Sequence, residues 1–140
     1  MNKVLYYIDS PSQEVWAFDF DDKNKELTNK RVVVKVPKSE GEPDGMTIDS
    51  EGMLWVALWE GWCVKRYDPN TGKELMKIEV DAPLSSCPVF GGPDMGTLYI
   101  ASAHSEAFGK PVRSENEGKL FAVRTGCYGT PGFFFQPEKR

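Results

Sequence analysis

The chain has 140 residues, of which 40% are hydrophobic and 12% aromatic, and its formal net charge is −4. This length and composition favour one folded domain over a disordered chain. Because there is no basic run and no apolar run near the roughly 20 residues of a membrane span, we expect neither nucleic acid nor a membrane as a partner.

Short β-type segments separated by turn residues run along the whole chain. Several alternate apolar and polar residues, and none has the spacing of an amphipathic helix. Proline and glycine mark the connections, including the polar residues 37–43 and 83–93, and a long polar loop follows at 104–117. The predicted strands are residues 4–8, 14–20, 28–36, 46–48, 53–58, 62–67, 74–80, 97–101, 118–124 and, as one further candidate, 132–136.

The segment EPDGMTIDSEGMLWVALW, residues 42–59, carries the most informative pattern. Pro43, Asp44 and Gly45 predict a tight acidic turn, and residues 49–52 predict a second turn between two strands. Asp44 is the residue that we expect to act chemically. On spacing alone, an ordinary turn aspartate that hydrogen-bonds its own backbone is the better interpretation.

An internal repeat organises these strands. The similar segments LYYI, LWVA and LYIA begin at Leu5, Leu54 and Leu98, with spacings of 49 and 44 residues. A period in the forties, with about four short strands per unit, is typical of β-propeller blades. The predicted fold class is therefore all-β, with about three propeller blades.

The register of the repeat indicates which part of a propeller the chain holds. Asp44 precedes the second repeat segment by ten residues, and the equivalent position before the third segment is at Ser86 and Cys87. The position before the first segment would fall ahead of Met1. Since a closed propeller needs at least about four blades, we expect residues 1–140 to be a partial domain that starts part-way through a blade.

The motifs of the repeat resemble the SMP-30/gluconolactonase (regucalcin) family. The resemblance covers nearly the whole chain and corresponds to the C-terminal half of the family's six-bladed propeller, so that the missing half would be N-terminal. The matching segments are YYIDS at residues 6–10, PDGMTIDSEGMLWVA at 43–57, VKRYDPNTGK at 64–73, SSCPVFGG at 85–92 and TLYIASA at 97–103.

The resemblance implies hydrolysis of sugar lactones with one divalent metal ion, which is calcium, zinc, manganese or magnesium. It implies a Glu, an Asn and an Asp as metal ligands, and the Asp of the PDG segment is Asp44, which would act as metal ligand and general base. The other two ligands would precede Met1. Because hard cations take about six or more oxygen ligands, whether this chain alone is an enzyme stays open.

Other candidate residues are weaker. Ser86 and Cys87 are expected to face the central channel, although a turn serine and a buried thiol are the favoured interpretations for them. Asp9 follows a strand that approaches the channel, and a turn-forming role is favoured for it. His104 is the single histidine, so no histidine-based metal cluster or catalytic dyad can form within the chain, and we expect it in a solvated loop.

Several residues have a structural interpretation. Asp49 is expected to be a turn aspartate, and Trp55, Trp59 and Trp62 to pack between blades.

The cysteines are expected to be reduced thiols. Cys63, Cys87 and Cys127 are odd in number and lack the spacing of a metal-binding pair, and buried free thiols are their simplest interpretation. This usage predicts a cytoplasmic protein.

Two functions are compatible with the sequence. The first is a metal-dependent sugar lactone hydrolase, or the C-terminal half of one. The second is a non-catalytic half-propeller that forms a homodimer or pairs with a missing N-terminal half.

Overall fold

The computed structural model describes residues 3–132, which form ten β-strands and three short 3-10 helices. No helix within this range is long and apolar enough to cross a membrane. The 3-10 helices are Ser10–Ser12, Lys38–Glu40 and Ser105–Phe108. The strands are β1 Lys3–Asp9, β2 Glu14–Asp21, β3 Glu26–Lys35, β4 Glu42–Ile48, β5 Leu54–Trp59, β6 Cys63–Tyr67, β7 Glu74–Glu79, β8 Ser85–Gly91, β9 Thr97–Ser102 and β10 Leu120–Arg124.

The strands form three separate antiparallel sheets, as the repeat predicts for propeller blades. Sheet 1 has the order β1-β2-β3, sheet 2 the order β4-β5-β6-β7, and sheet 3 the order β8-β9-β10. The three repeat segments fall on β1, β5 and β9. β4 precedes β5 and β8 precedes β9 in their sheets, whereas β1 is an edge strand among the described residues.

Sheet 2 is the central layer, and its strand β5 is buried on both faces. Leu54, Val56 and Leu58 belong to the core shared with sheet 1, whereas Trp55 and Ala57 belong to the core shared with sheet 3. Successive side chains of a strand point to opposite faces. An uninterrupted apolar run is therefore what a strand between two packed sheets requires.

A buried polar network fixes the turn that leads into β5. One carboxylate oxygen of Asp49 accepts the backbone N–H groups of Glu51 and Met53, each at 3.0 Å. The other accepts Trp55 Nε1 at 2.9 Å and Arg66 Nε at 2.8 Å. The interpretation of Asp49 as a turn residue is confirmed, and its side chain also connects the turn to β5 and β6.

The predicted tight turn at Pro43, Asp44 and Gly45 is wrong. These residues lie within β4, which pairs with β5 from Glu42 to Ile48. The connection predicted over residues 83–93 is also wrong, because most of it forms β8.

Proline and glycine caused both errors. β4 and β8 are the first strands of their sheets and therefore edge strands. Proline lacks the N–H that an inner strand needs, but an edge strand tolerates it. Pro43 and Pro88 occupy such edge positions.

The other predicted strands agree with the structure to within two residues at each end. The loop predicted over 104–117 contains the 3-10 helix Ser105–Phe108. The further candidate at 132–136 lies outside the described residues except for Gly132.

Candidate functional site

Two β-bulges lie at equivalent positions of β4 and β8. In β4 the pairing with β5 shifts between Pro43 and Met46, so that Asp44 and Gly45 have no paired partner. In β8 the pairing with β9 shifts between Ser85 and Cys87. A bulge bends its strand and re-aims a side chain, and such bulges are common beside active sites.

The two bulges are in direct contact. A β-carbon added to Gly45 would lie 2.4 Å from the carbonyl oxygen of Ser86 and 2.9 Å from the Cα of Cys87. Only a glycine fits at this point. The structure therefore brings Asp44, Ser86 and Cys87 into one neighbourhood.

A shallow cavity of about 230 Å³ lies in front of Asp44. Its lining residues are Ser10, Glu42, Pro43, Asp44 and Trp59. The Ser10 hydroxyl donates a hydrogen bond to the carbonyl oxygen of Pro43 at 2.6 Å and so ties the 3-10 helix after β1 to β4.

The Asp44 side chain is exposed, but the surrounding protein removes part of its hydration. This desolvation raises the pKa of the Asp44 carboxyl above its ordinary value. The shift increases the basicity of the Asp44 carboxylate. It can accept a proton from a water molecule in the cavity.

The remaining predicted residues are close to Asp44 but differ in role. The Ser86 hydroxyl donates to the carbonyl oxygen of Ala101 at 3.2 Å, across the β8–β9 bulge. Cys87 is exposed, so a buried thiol is the wrong interpretation for it. Asp9 is half-buried and does not line the cavity, whereas its neighbour Ser10 does.

The cysteines and the histidine contribute no cluster among residues 3–132. Cys63 is buried, Cys127 is partly buried, and all three thiols are free. His104 is exposed, as expected for a loop histidine.

Ser10 and Trp59 were not predicted as site residues. Each stands five residues after the leucine that opens its repeat segment, Leu5 and Leu54. This shared offset in the repeat was a signal for both residues, since equivalent positions of neighbouring blades lie on the same side of the fold.

The described residues do not by themselves fit a divalent metal ion. Between residues 3 and 132, no three His, Cys, Asp or Glu side chains lie close enough together to hold one. The cavity offers two carboxylates, Glu42 and Asp44. A hard cation takes about six oxygen ligands, so further ligands would have to come from elsewhere.

Comparison with known proteins identifies the family. The family model described as SMP-30/Gluconolactonase/LRE-like region matches residues 1–104. The chain belongs to this family. Regucalcin of Danio rerio is 48% identical over 136 residues, which cover 96% of this chain and 46% of that protein. A Bacillus subtilis protein with the provisional name sugar lactone lactonase YvrE is 41% identical over 128 residues, which cover 89% of this chain and 44% of that protein.

Solved structures of the SMP-30 type confirm the propeller fold. A luciferin-regenerating enzyme superposes with a TM-score of 0.80 at 31% identity, over 93% of this chain and 44% of that one. A regucalcin of Agrobacterium tumefaciens, described as a calcium-binding protein, superposes with a TM-score of 0.77 at 26% identity, over 91% and 43% of the two chains. This chain spans less than half the length of these relatives.

Proposed function

We propose that this chain supplies one side of the active site of a sugar lactone hydrolase, with Asp44 as its reactive group. The observation that carries the proposal is the carboxylate of Asp44, which stands at a bulge of an edge strand, in a cavity, with a raised pKa. Family membership and the provisional name of the Bacillus subtilis relative support a sugar lactone as the substrate.

The chemistry requires one proton acceptor near the attacking water. Water adds to the carbonyl carbon of the lactone, the bond from that carbon to the ring oxygen breaks, and the product is the open-chain hydroxy acid. Asp44 accepts the proton of the attacking water and returns it to the ring oxygen as that oxygen leaves the carbonyl carbon. General-base assistance of this kind contributes about a hundredfold or more to the rate.

The proposal includes a divalent metal ion beside Asp44. The Agrobacterium tumefaciens relative is described as a calcium-binding protein. Asp44 would be one ligand of a divalent ion, and further ligands would have to come from outside the described residues. Ser86 and Cys87 would border the same channel, and Asp9 would stay at its edge.

A second candidate is a pairing module that rebuilds a larger propeller. On the outer face of sheet 1, Leu5 is 40% exposed and Tyr7 51%, and on that of sheet 3 Val89 is 54% exposed and Leu120 69%. Apolar sheet faces of this kind are normally covered. A second copy of the chain, or the missing N-terminal half, would cover them.

Lactone hydrolysis tests the first candidate. The full chain is assayed with D-glucono-1,5-lactone and each of calcium, zinc, manganese and magnesium, alone and with the N-terminal half of a relative added. We expect Asp44→Asn to lower kcat at least about a hundredfold. Glu79→Gln removes one charge from the exposed outer strand β7 and is the matched control.

The outcomes separate the two candidates. Equal loss in both variants, or turnover that does not depend on Asp44, would contradict the hydrolase proposal. Light scattering on the same sample gives the mass. A mass of twice the chain without turnover would support the pairing module, and a folded monomer would contradict the homodimer.

A further inference from the structure

The connection between β9 and β10 brings an aromatic side chain to Trp59, which lines the candidate site. Phe108 ends the 3-10 helix of this connection and is 54% exposed. Its ring meets the indole of Trp59 edge to face, with ring centroids 4.9 Å apart and an interplanar angle of 85°. The pair therefore joins the end of β5 in sheet 2 to a loop of sheet 3.

Trp59 also belongs to the cavity of Asp44. It is the last residue of β5, it pairs with Glu42, and it is only partly buried. Trp55, by contrast, is fully buried and packs edge to face on Phe90 at 5.6 Å. Both tryptophans therefore pack between blades, but Trp59 also keeps accessible surface in the cavity of Asp44.

Charged side chains hold the loop in position next to Trp59. Glu60, the residue after Trp59, accepts hydrogen bonds from Arg113 Nη1 at 2.5 Å and from Lys110 Nζ. Arg113 and Lys110 both lie on the loop that carries Phe108. Lys110 and Arg113 thereby keep Phe108 against Trp59, which lines the cavity.

The loop is also anchored from inside. Glu117 is buried, and its two carboxylate oxygens accept the backbone N–H of Ser105 at 2.7 Å and that of Arg113 at 2.8 Å. Ser105 itself is fully buried. The 3-10 helix that ends at Phe108 is therefore held at both of its sides.

We propose that Trp59, held edge to face by Phe108, forms an aromatic platform for the sugar ring of the lactone, and the proposal rests on the function proposed for Asp44. One face of a pyranose ring presents mainly C–H groups, and aromatic rings bind such a face while its hydroxyl groups stay hydrated. Ligand sites combine apolar walls with a few polar groups. Here Ser10, Glu42 and Asp44 are the polar groups of the cavity.

Binding of a non-hydrolysable ligand tests the platform. The probe is D-glucono-1,5-lactam, a neutral ring analogue of the lactone, and its Kd for the full chain is measured by saturation-transfer NMR. We expect Trp59→Leu and Phe108→Ala each to raise Kd about tenfold. Trp59→Phe keeps an aromatic ring, and we expect it to stay within about threefold of the unmodified chain.

Trp62→Leu is the matched control. Trp62 lies three residues from Trp59 but borders other cavities, beside Lys77 and Glu79. We expect no change of Kd for this variant. Thermal unfolding followed by circular dichroism identifies any variant that fails to fold. If Trp59→Leu fails to fold, Phe108→Ala decides, because Phe108 is 54% exposed.

The outcomes distinguish the platform from the proposed function. Unchanged lactam affinity in Trp59→Leu and Phe108→Ala, or no lactam binding by the unmodified chain, would overturn the platform, while hydrolysis that depends on Asp44 would leave the function standing. Lactam binding that depends on both rings, with no hydrolysis, would support the platform and overturn the function.

Discussion

Gly45 lies against the main chain of Ser86, where a β-carbon would come within 2.4 Å of the carbonyl oxygen. The neighbour is backbone and cannot rotate away. We therefore expect Gly45→Ala to push β4 away from β8 and to lower the free energy of unfolding by about 1–3 kcal/mol, as other overpacked sites do. Urea denaturation followed by tryptophan fluorescence measures the change.

A second glycine provides the control for this substitution. Gly132 has no heavy atom within 4 Å of an added β-carbon, and its φ is not in the left-handed region. Gly132→Ala should leave the unfolding curve unchanged. If both alanine variants unfold at the same denaturant concentration as the unmodified chain, this result would contradict the close contact between the two bulges.

Asp49 is expected to be the most sensitive acidic residue for stability. Burial opposes its ionisation, but hydrogen bonds from Arg66, Trp55 and the Met53 N–H outweigh this effect and hold the pKa of Asp49 below its ordinary value. Asp49→Asn leaves the buried Arg66 with one charged partner, Glu51. We expect a loss of about 3 kcal/mol, measured by urea denaturation.

Asp68→Asn is the comparison for this buried pair. Asp68 caps an exposed turn and accepts the backbone N–H of Asn70 at 2.8 Å. Its substitution should cost clearly less stability than that of Asp49, because its hydrogen bonds compete with water. Equal losses for the two asparagine variants would mean that the ion pair with Arg66 adds nothing to the stability of the turn.

The repeat made the blades predictable from the sequence. Leu5, Leu54 and Leu98 open three equivalent strands, and the run from Leu54 to Trp59 is apolar because both of its faces are covered. Strands β4 and β8 were harder to predict. Their prolines and glycines normally indicate turns, and only the sheet shows that these strands lie at an edge, where proline is tolerated.

The site was predictable only in part. The resemblance to a family selected Asp44, but spacing gave it no advantage over a turn aspartate. The contact between Trp59 and Phe108 joins residues 49 positions apart along the chain. The loop between β9 and β10 has no periodicity from which its path could be predicted. Hydrogen bonds to Glu60 and Glu117 fix its position.

The hydrogen bonds of Glu117 to the loop that carries Phe108 are expected to depend on pH. Burial raises the pKa of Glu117, but hydrogen bonds from Ser105, Arg113 and Ser114 outweigh it and lower the pKa to about 2. Because the folded pKa lies below the unfolded value of about 4.3, the stabilisation is complete above that pH and is lost as the pH falls towards 2.

The amide signals of Ser105 and Arg113 in NMR spectra report this protonation. We expect both to shift with a midpoint near pH 2 and to become more rapidly exchanging in Glu117→Gln at neutral pH. Glu106→Gln, on the exposed side of the same 3-10 helix, is the control and should change neither signal. A midpoint at the ordinary glutamate value would contradict the anchor.

Asp44 and Asp68 are expected to titrate in opposite directions from the ordinary aspartate pKa of about 3.9. Desolvation raises the pKa of Asp44, whereas hydrogen bonds from the Asn70 N–H and from Thr71 lower the pKa of Asp68. The carboxyl carbons of both residues can be followed by ¹³C NMR in one sample, so that Asp68 is the internal control and no activity is needed. An Asp44 midpoint at or below that of Asp68 would contradict its assignment as a base.

The same shift fixes the expected pH dependence of hydrolysis. The general base must be ionised, so kcat should fall on the acid side with a midpoint above the ordinary aspartate value, as the raised pKa of Asp44 requires. A folded pKa that is raised also means that the ionised Asp44 disfavours folding at neutral pH. Asp44→Asn should therefore lose activity without losing stability. If its Tm in thermal unfolding were lowered instead, loss of the fold would explain the inactivity.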